Sequence, residues 1–121
     1  MYNSYNLGKI GENIAKKFLQ KKSYEILETN FFYKKNEIDI IAKYQNLLIV
    51  VEVKIRKTNF FGEPYLSVDL KKQKKIIKVT NFYIIEKNID LEVRFDIISI
   101  VGNKKIYKIE HIKNAFYPTN F

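Results

Sequence analysis

The residues best suited to chemistry lie on two successive strand-like segments in the first half of the chain. Asp39 is on one of them, and Glu52, Val53 and Lys54 are on the next. Because side chains alternate along a strand, Glu52 and Lys54 share one face and Val53 points to the other. A short hairpin brings Asp39 opposite them, so two carboxylates and an ammonium occupy one small volume. Burying this trio without a ligand is costly.

Two carboxylates held close together on rigid strands form a site for a hard divalent cation such as Mg²⁺, with Mn²⁺ as a substitute. In this interpretation Asp39 and Glu52 hold the metal and the Val53 carbonyl adds a ligand. Lys54 then orients or deprotonates an attacking water and offsets charge in the transition state, which indicates phosphodiester hydrolysis. The alternative is a structural ion pair, Glu52–Lys54 or Asp39–Lys54. We favour the metal site because buried pairs rarely improve stability.

Composition narrows the classes of protein that remain. The chain has 121 residues, so one domain over residues 1–121 is expected. The absence of cysteine excludes a disulfide scaffold, a Cys-ligated zinc site and a thiol nucleophile. No stretch approaches the roughly 20 apolar residues of a membrane span, and the N-terminus lacks a signal-peptide layout. We therefore expect a soluble, cytoplasmic protein.

The charge balance points to a polyanionic partner. Twenty-two Lys and Arg residues against 13 Asp and Glu give a formal net charge of +9. Such a basic domain attracts nucleic acid. A coding bias toward Lys, Ile and Asn would also account for part of this charge.

Hydrophobic periodicity predicts an α/β chain with the order α-β-β-β-α-β-β. The first three strands should form an antiparallel meander, and Ser67 or Asp69 should cap the second helix. The predicted helices cover about Asn6–Lys22 and from the cap to about Lys87. The predicted strands cover Tyr24–Tyr33, Glu37–Ala42, Leu47–Arg56, Leu91–Val101 and Lys104–Ile112.

The second helix is predicted to be amphipathic. An apolar line through Leu70, Ile77 and Ile84 is flanked by Ile76 and Tyr83. Gln73 falls inside this arc, where it either holds a water at the site or caps the backbone of a strand. The opposite face either contacts phosphates or is simply solvated; it carries Lys71, Lys74, Lys75 and Lys78.

Several short motifs, in order, resemble the YraN-type bacterial proteins, which belong to the restriction-endonuclease-like nucleases and are similar to archaeal Holliday-junction resolvases. The resemblance spans about residues 7–101. The motifs are Gly8-Lys-Ile-Gly11-Glu12, Glu37-Ile-Asp39-Ile-Ile-Ala42, Val51-Glu-Val-Lys-Ile-Arg56, Phe61-Gly62-Glu-Pro64, Lys72-Gln73 and Arg94-Phe-Asp96.

This resemblance implies a restriction-endonuclease-like αβββαβ core, a mixed central sheet flanked by two helices. It implies that Asp39, Glu52 and Lys54 form the metal-site motif, with Glu12 as an additional acid and Gln73 as a companion from the second helix. It also implies DNA rather than RNA as the substrate, branched or structured DNA in particular, and a homodimer. Asn36 replaces the glycine that commonly precedes the Glu37 segment, which weakens the expectation of a tight turn there.

Other candidates are less specific. Glu12 lies at the rim of the first helix's apolar arc, where it either leans into a cleft or is solvated near the helix N-terminus. Arg56 suits bidentate phosphate contacts, whereas the Phe60-Phe61 pair either stacks on bases or, as we favour, anchors its loop. Asp96 is read as a structural acid, and the lone His111 as a surface residue.

Three functions follow from these patterns. The leading one is a Mg²⁺-dependent DNA endonuclease. The first alternative is a nucleic-acid-binding module whose nuclease site is vestigial. The second is a dimeric interaction scaffold without catalysis.

Overall fold

The computed structural model describes residues 4–57 and 68–118. The predicted Ser67 cap, Phe60-Phe61 pair and Phe61–Pro64 motif lie outside these residues. The described chain contains two helices and five strands in the predicted order. They are α1 Ser4–Lys21, β1 Glu25–Tyr33, β2 Asn36–Tyr44, β3 Leu47–Arg56, α2 Leu70–Lys87, β4 Glu92–Gly102 and β5 Tyr107–Phe116.

The five strands form one sheet in the order β1-β2-β3-β4-β5. The first three are an antiparallel meander, β3 and β4 are parallel, and β5 returns antiparallel to β4. Parallel neighbours require a crossover connection, and α2 lies in that connection. The predicted mixed sheet flanked by two helices, with an αβββαβ core, is confirmed.

The two helices cover opposite faces of the sheet. Ala15 and Leu19 of α1 pack against Ile49, Val51 and the other side chains on one face. The buried stripe of α2 packs on the other face, together with Leu48 and Val50 of the same strand. The central strand β3 is therefore buried from both sides, which explains its nearly continuous run of apolar residues. The α2 stripe consists of Ile76, Val79 and Tyr83.

Gly11 sets the distance between α1 and β3. A Cβ atom at this position would lie 2.9 Å from Ile55 Cγ2 and 3.6 Å from Val53 Cγ1. Only a residue without a side chain permits this approach. The close contact brings the next residue of α1, Glu12, toward the end of β3 at which the candidate residues lie.

The buried stripe of α2 differs from the predicted one. Burial is deepest at Ile76, Val79, Thr80 and Tyr83. Of the predicted line, Ile77 and Ile84 are partly buried against the same core, whereas Leu70 is 56% exposed. The apolar arc is wide, and packing against the sheet selects its edge nearest the β1–β2 hairpin. The Asp69 cap is confirmed, because its side chain accepts a hydrogen bond from the Lys72 amide at 2.9 Å.

Two local expectations were also wrong. A tight turn does join β1 to β2, because Lys34 and Lys35 adopt left-handed φ angles of 48° and 68° without any glycine. The last strand begins at Tyr107 rather than Lys104, because the Asn103 side chain accepts hydrogen bonds from the amides of Lys105 and Ile106 and closes a longer turn. No helix among the described residues is long and apolar enough to cross a membrane.

Candidate active site

The site lies where β2 separates from β3. Pairing of these strands runs from Tyr44↔Leu47 to Ile40↔Val51 and goes no further. At the next position Asp39 Oδ2 accepts a hydrogen bond from the Val53 amide at 2.8 Å. A carboxylate thus takes the place of a backbone acceptor, and the separated strands leave a cleft in the plane of the sheet.

Glu52 lies beside Asp39 on the separated part of β3. It is only 3% exposed. Its Oε2 is 3.2 Å from Lys72 Nζ of α2, whereas its Oε1 is buried and has no hydrogen-bond partner. A buried carboxylate oxygen without a partner has lost its hydrogen bonds to water, and no protein donor replaces them, so its burial is unfavourable. One side of Glu52 is therefore open to a ligand.

A second acidic group reaches Asp39 from the α1 side of the sheet. Carboxylate oxygens of Glu12, Glu37 and Asp39 all lie within 4.8 Å of one another. Asn30 Nδ2 donates hydrogen bonds to Glu12 Oε2 at 2.9 Å and to Glu37 Oε1 at 2.6 Å. Glu12 therefore leans toward the cleft, and Asn30 holds the two glutamates together.

Burial opposes ionisation of both central carboxylates. It raises the pKa of Asp39 to about 6; the Val53 hydrogen bond lowers this pKa and the Glu12 charge raises it. Burial likewise raises the pKa of Glu52 to about 8, and the neighbouring Asp39 charge adds to the shift. Like charges in a desolvated place favour protons or cations. Perturbed pKa values of this kind mark a candidate functional site.

Two lysines serve this pocket. Lys54 forms no ion pair with a carboxylate among residues 4–57 and 68–118; burial lowers its pKa, and so does the neighbouring Lys72 ammonium. Burial disfavours the charged form of Lys72, but Glu52 outweighs burial and raises the Lys72 pKa. The structure thus brings together Asp39 and Glu52, but the ammonium that contacts Glu52 comes from α2.

Lys72 was not a candidate in the sequence, although a signal for it existed. The positions 72, 76, 79 and 83 follow helical spacing, so Lys72 lies on the line of the buried stripe of α2. This placement of Lys72 can be read from the sequence only if the buried stripe of α2 is assumed to run through Ile76 and Tyr83. Asn30 carried no such signal, because its role depends on a left-handed φ of 53° within β1.

Gln73 and Arg56 flank the pocket without contacting its carboxylates. Gln73 Nε2 donates to the Val68 carbonyl at 3.0 Å, so it caps a backbone group that precedes α2 and not the strand backbone that was the alternative. Its Oε1 has no partner, and neither have Nε and Nη2 of the half-buried Arg56. The roles predicted for both residues, and for the Val53 carbonyl, stay predictions.

The lysines predicted as a nucleic-acid face divide into two groups. Lys71 and Lys75 line a cavity beside Glu37 and Lys72, together with Lys35 of the β1–β2 turn. The other two predicted residues do not line this cavity; they are Lys74 and Lys78.

Asp96 belongs to a separate, structural network on the α1 side. Arg94 donates to both of its oxygens, at 2.9 Å from Nε and 2.8 Å from Nη2. His111 Nε2 lies 2.7 Å from Asp96 Oδ2, and its side chain is 7% exposed. The expectation that His111 is a surface residue was wrong, because β5 brings it onto this buried acid. Asp96 is a structural acid, as predicted.

The fold and pocket define an α/β protein with a carboxylate pair at the split centre of a mixed sheet. Residues 11–100 match the family described as "Uncharacterised protein family UPF0102", and the chain belongs to this family. It is 49% identical to the UPF0102 protein FP2501 of Flavobacterium psychrophilum, over 93% of this chain and 94% of that one. It is 51% identical to a UPF0102 protein of Christiangramia forsetii, over 92% of this chain and 93% of that one. The UPF0102 protein TTE1452 of Caldanaerobacter subterraneus is 45% identical to this chain, over 94% of this chain and 97% of that one.

Proposed function

We propose that the protein is a metal-dependent nuclease that hydrolyses phosphodiester bonds. One observation carries the proposal. The Glu52 carboxylate is buried with an unpartnered Oε1, and the charge of the half-buried Asp39 carboxylate acts on it. This donor set fits Mg²⁺, which takes oxygen ligands and retains several waters. Mn²⁺ would substitute for it.

The residues have separable roles in this mechanism. Asp39 and Glu52 would hold the cation, with the Val53 carbonyl as a further ligand. When bound, the cation supplies Lewis-acid charge at the scissile phosphate. Lys54, on the same face of β3 as Glu52, orients the attacking water. The water oxygen bonds to phosphorus and gives up one proton to solvent, the bond from phosphorus to the leaving oxygen breaks, and the leaving oxygen takes a proton from solvent.

Glu12 and Gln73 would complete the site from outside this trio. Glu12 adds negative charge next to Asp39, which strengthens the attraction for a cation. Gln73 has a free amide oxygen that can accept a hydrogen bond from a water. Arg56 would contact a phosphate through its unpaired Nε and Nη2.

We propose DNA, branched or otherwise structured, as the substrate, and a homodimer as the active form. Support for the substrate comes from the sequence resemblance to junction resolvases and from the net charge of +9. A four-way junction presents two equivalent strands, which a two-fold symmetric dimer matches. Sedimentation of the purified protein measures the oligomeric state directly.

A cleavage assay with purified protein tests the function. The substrates are duplex, single-stranded, flapped and four-way DNA, with the matching single-stranded RNA, each in Mg²⁺, in Mn²⁺ and in EDTA. We expect cleavage that requires the metal and falls at least 100-fold in Asp39→Asn and Glu52→Gln. Lys54→Ala should reduce the rate with less effect on metal binding.

The control variant is Glu25→Gln, which makes the same chemical change at an exposed position of β1. It should cleave like the wild type. Cleavage that survives Asp39→Asn and Glu52→Gln contradicts the proposal. Salt-sensitive DNA binding that ignores both Mg²⁺ and Asp39→Asn would instead identify a binding module.

A further inference from the structure

A basic cavity adjoins the carboxylate pair. It has a volume of about 350 Å³ and lies between the β1–β2 turn and the first turns of α2. Its lining includes four lysines and only two carboxylates. They are Lys35, Lys71, Lys72 and Lys75, with Glu37 and Asp69.

Both carboxylates of the cavity already have partners. Asp69 caps α2 through the Lys72 amide, and Glu37 accepts a hydrogen bond from Asn30. Among the described residues, no ion pair joins Lys35, Lys71 or Lys75 to an acid. The cavity therefore presents a surplus of positive charge to an anion.

The backbone of the turn supports a functional role for Lys35. A two-residue hairpin loop with two left-handed residues normally contains Asn and Gly. Lys34 and Lys35 occupy these positions instead. A side chain in this conformation costs roughly 1 kcal/mol or more, and such strain persists where the surrounding structure enforces it. The turn is held against α2 by Tyr33, whose ring stacks on Phe82 at 3.8 Å.

Lys72 joins the cavity to the candidate active site. Its Nζ is 3.2 Å from Glu52 Oε2, and the same side chain lines the cavity. A cation bound to Glu52 would take over the neutralising role of this ammonium. The Lys72 ammonium would then contact an anion in the cavity while the side chain stays in its present place in the cavity wall.

We propose that this cavity binds backbone phosphates of the nucleic acid next to the bond that is cut, with Lys72 at the boundary between the cavity and the candidate active site. The proposal rests on the proposed function, because it takes the phosphodiester substrate from it. Phosphates in a strand are spaced several ångströms apart, so separate lysines contact successive ones. The strand therefore passes between the β1–β2 turn and α2.

The test measures DNA binding by fluorescence anisotropy over a series of salt concentrations, in EDTA and in Ca²⁺. The variants are Lys35→Gln, Lys75→Gln and the double variant. The matched control is Lys87→Gln, an exposed residue in the last turn of the same helix that does not line the cavity. Each cavity variant should reduce the slope of log affinity against log salt by about 1, and the control should not.

A free phosphate is the other source of the same chemistry. Inorganic phosphate and a mononucleotide are therefore added as competitors. Displacement of DNA only at high competitor concentration supports a backbone site. Displacement of DNA at low concentrations of inorganic phosphate, equally for short and long DNA, overturns the proposal in favour of a small-anion site.

Failure of this proposal differs from failure of the nuclease proposal. If Lys35→Gln and Lys75→Gln bind DNA like Lys87→Gln, the cavity is not the backbone site, whatever the cleavage assay shows. If they weaken binding while the wild type never cleaves, the cavity proposal stands and the hydrolytic one is wrong.

Discussion

Lys72 Nζ lies 3.2 Å from Glu52 Oε2, and this ion pair connects α2 to the central strand of the sheet. Lys54, two residues from Glu52 in sequence, forms no ion pair with a carboxylate among the described residues. The larger part of the positive charge that stabilises the buried Glu52 therefore comes from a helix some twenty residues further along the chain, and the Lys54 charge adds a smaller part.

Replacing Lys72 should lower the stability of the metal-free protein and increase its stabilisation by Mg²⁺. Lys72→Met leaves Glu52 buried without its counter-ion, so the free energy of unfolding in EDTA should fall by about 1 to 2 kcal/mol. The loss is smaller than for a fully buried pair because 36% of the Lys72 side chain is exposed. Mg²⁺ should raise the melting temperature more in the variant than in the wild type, because it no longer competes with an ammonium. Thermal denaturation in EDTA and in Mg²⁺ measures both effects.

Lys78→Met is the control, since it removes an exposed charge from the same helix. An equal response to Mg²⁺ in Lys72→Met and in the wild type would contradict the competition between the two cations.

The two glycines of α1 should respond in opposite ways to alanine. Gly11→Ala places a Cβ 2.9 Å from Ile55 Cγ2, so the helix must shift outward at a cost of about 1 to 3 kcal/mol. Gly8→Ala meets nothing within 4 Å and should stabilise the helix by about 0.5 to 1 kcal/mol. Urea unfolding measures both changes. If Gly11→Ala is as stable as Gly8→Ala, the close packing of α1 on β3 is wrong.

Asn30 should have two separable contributions, one from its backbone and one from its amide. Asn30→Gly keeps the left-handed φ but loses the hydrogen bonds to Glu12 and Glu37, so the two carboxylates repel each other. Asn30→Ala adds a backbone penalty of roughly 1 kcal/mol. Both variants should be less stable than the wild type in EDTA, and Mg²⁺ should recover part of the loss. A melting temperature of Asn30→Gly equal to that of the wild type in EDTA would show that the amide bridge contributes nothing.

Stability should depend on pH through Asp96. Burial alone would raise its pKa, but hydrogen bonds from His111 and Arg94 outweigh burial and hold the pKa below its usual value. A lowered folded pKa means that the stabilisation is complete above the unfolded pKa, near 4, and is lost as the pH falls through the folded pKa. Asp96→Asn should therefore cost about 3 to 5 kcal/mol at neutral pH, because Arg94 loses its buried partner.

The difference between Asp96→Asn and the wild type should shrink as the pH falls below about 4. Chemical denaturation over a range of pH measures it, with Asp90→Asn as the exposed control. A difference that stays constant from neutral to acidic pH would contradict the ionised state of Asp96.

Much of the fold follows from local patterns. The alternation around Glu52 and the apolar run of β3 placed a two-sided central strand correctly, and Asp69 marked the start of α2. The buried face of α2 was misjudged because its apolar residues span a wide arc, and only the sheet decides which edge is covered. The turn at Lys34 and Lys35 was missed because tertiary packing there overrides the usual preference for glycine.

The candidate site was predictable at Asp39 and Glu52, and at Glu12 of α1, but not at Lys72 or Asn30. Asp39 and Glu52 belong to adjacent strands, so a hairpin suffices to bring them together. Lys72 and Asn30 depend on how a helix docks and on one unusual backbone angle. Neither can be inferred from composition or from spacing within a single segment.

The separation of β2 from β3 lets α1 and α2 reach Asp39 from opposite faces of the sheet. The pocket consequently needs segments from residue 12 to residue 72 to be in place at once. A nascent chain that has not yet emerged from the ribosome beyond α2 holds its acids without Lys72 beside them. The complete arrangement of the pocket therefore depends on the docking of α2, although Asp39, Glu52 and Lys54 all precede this helix in the chain.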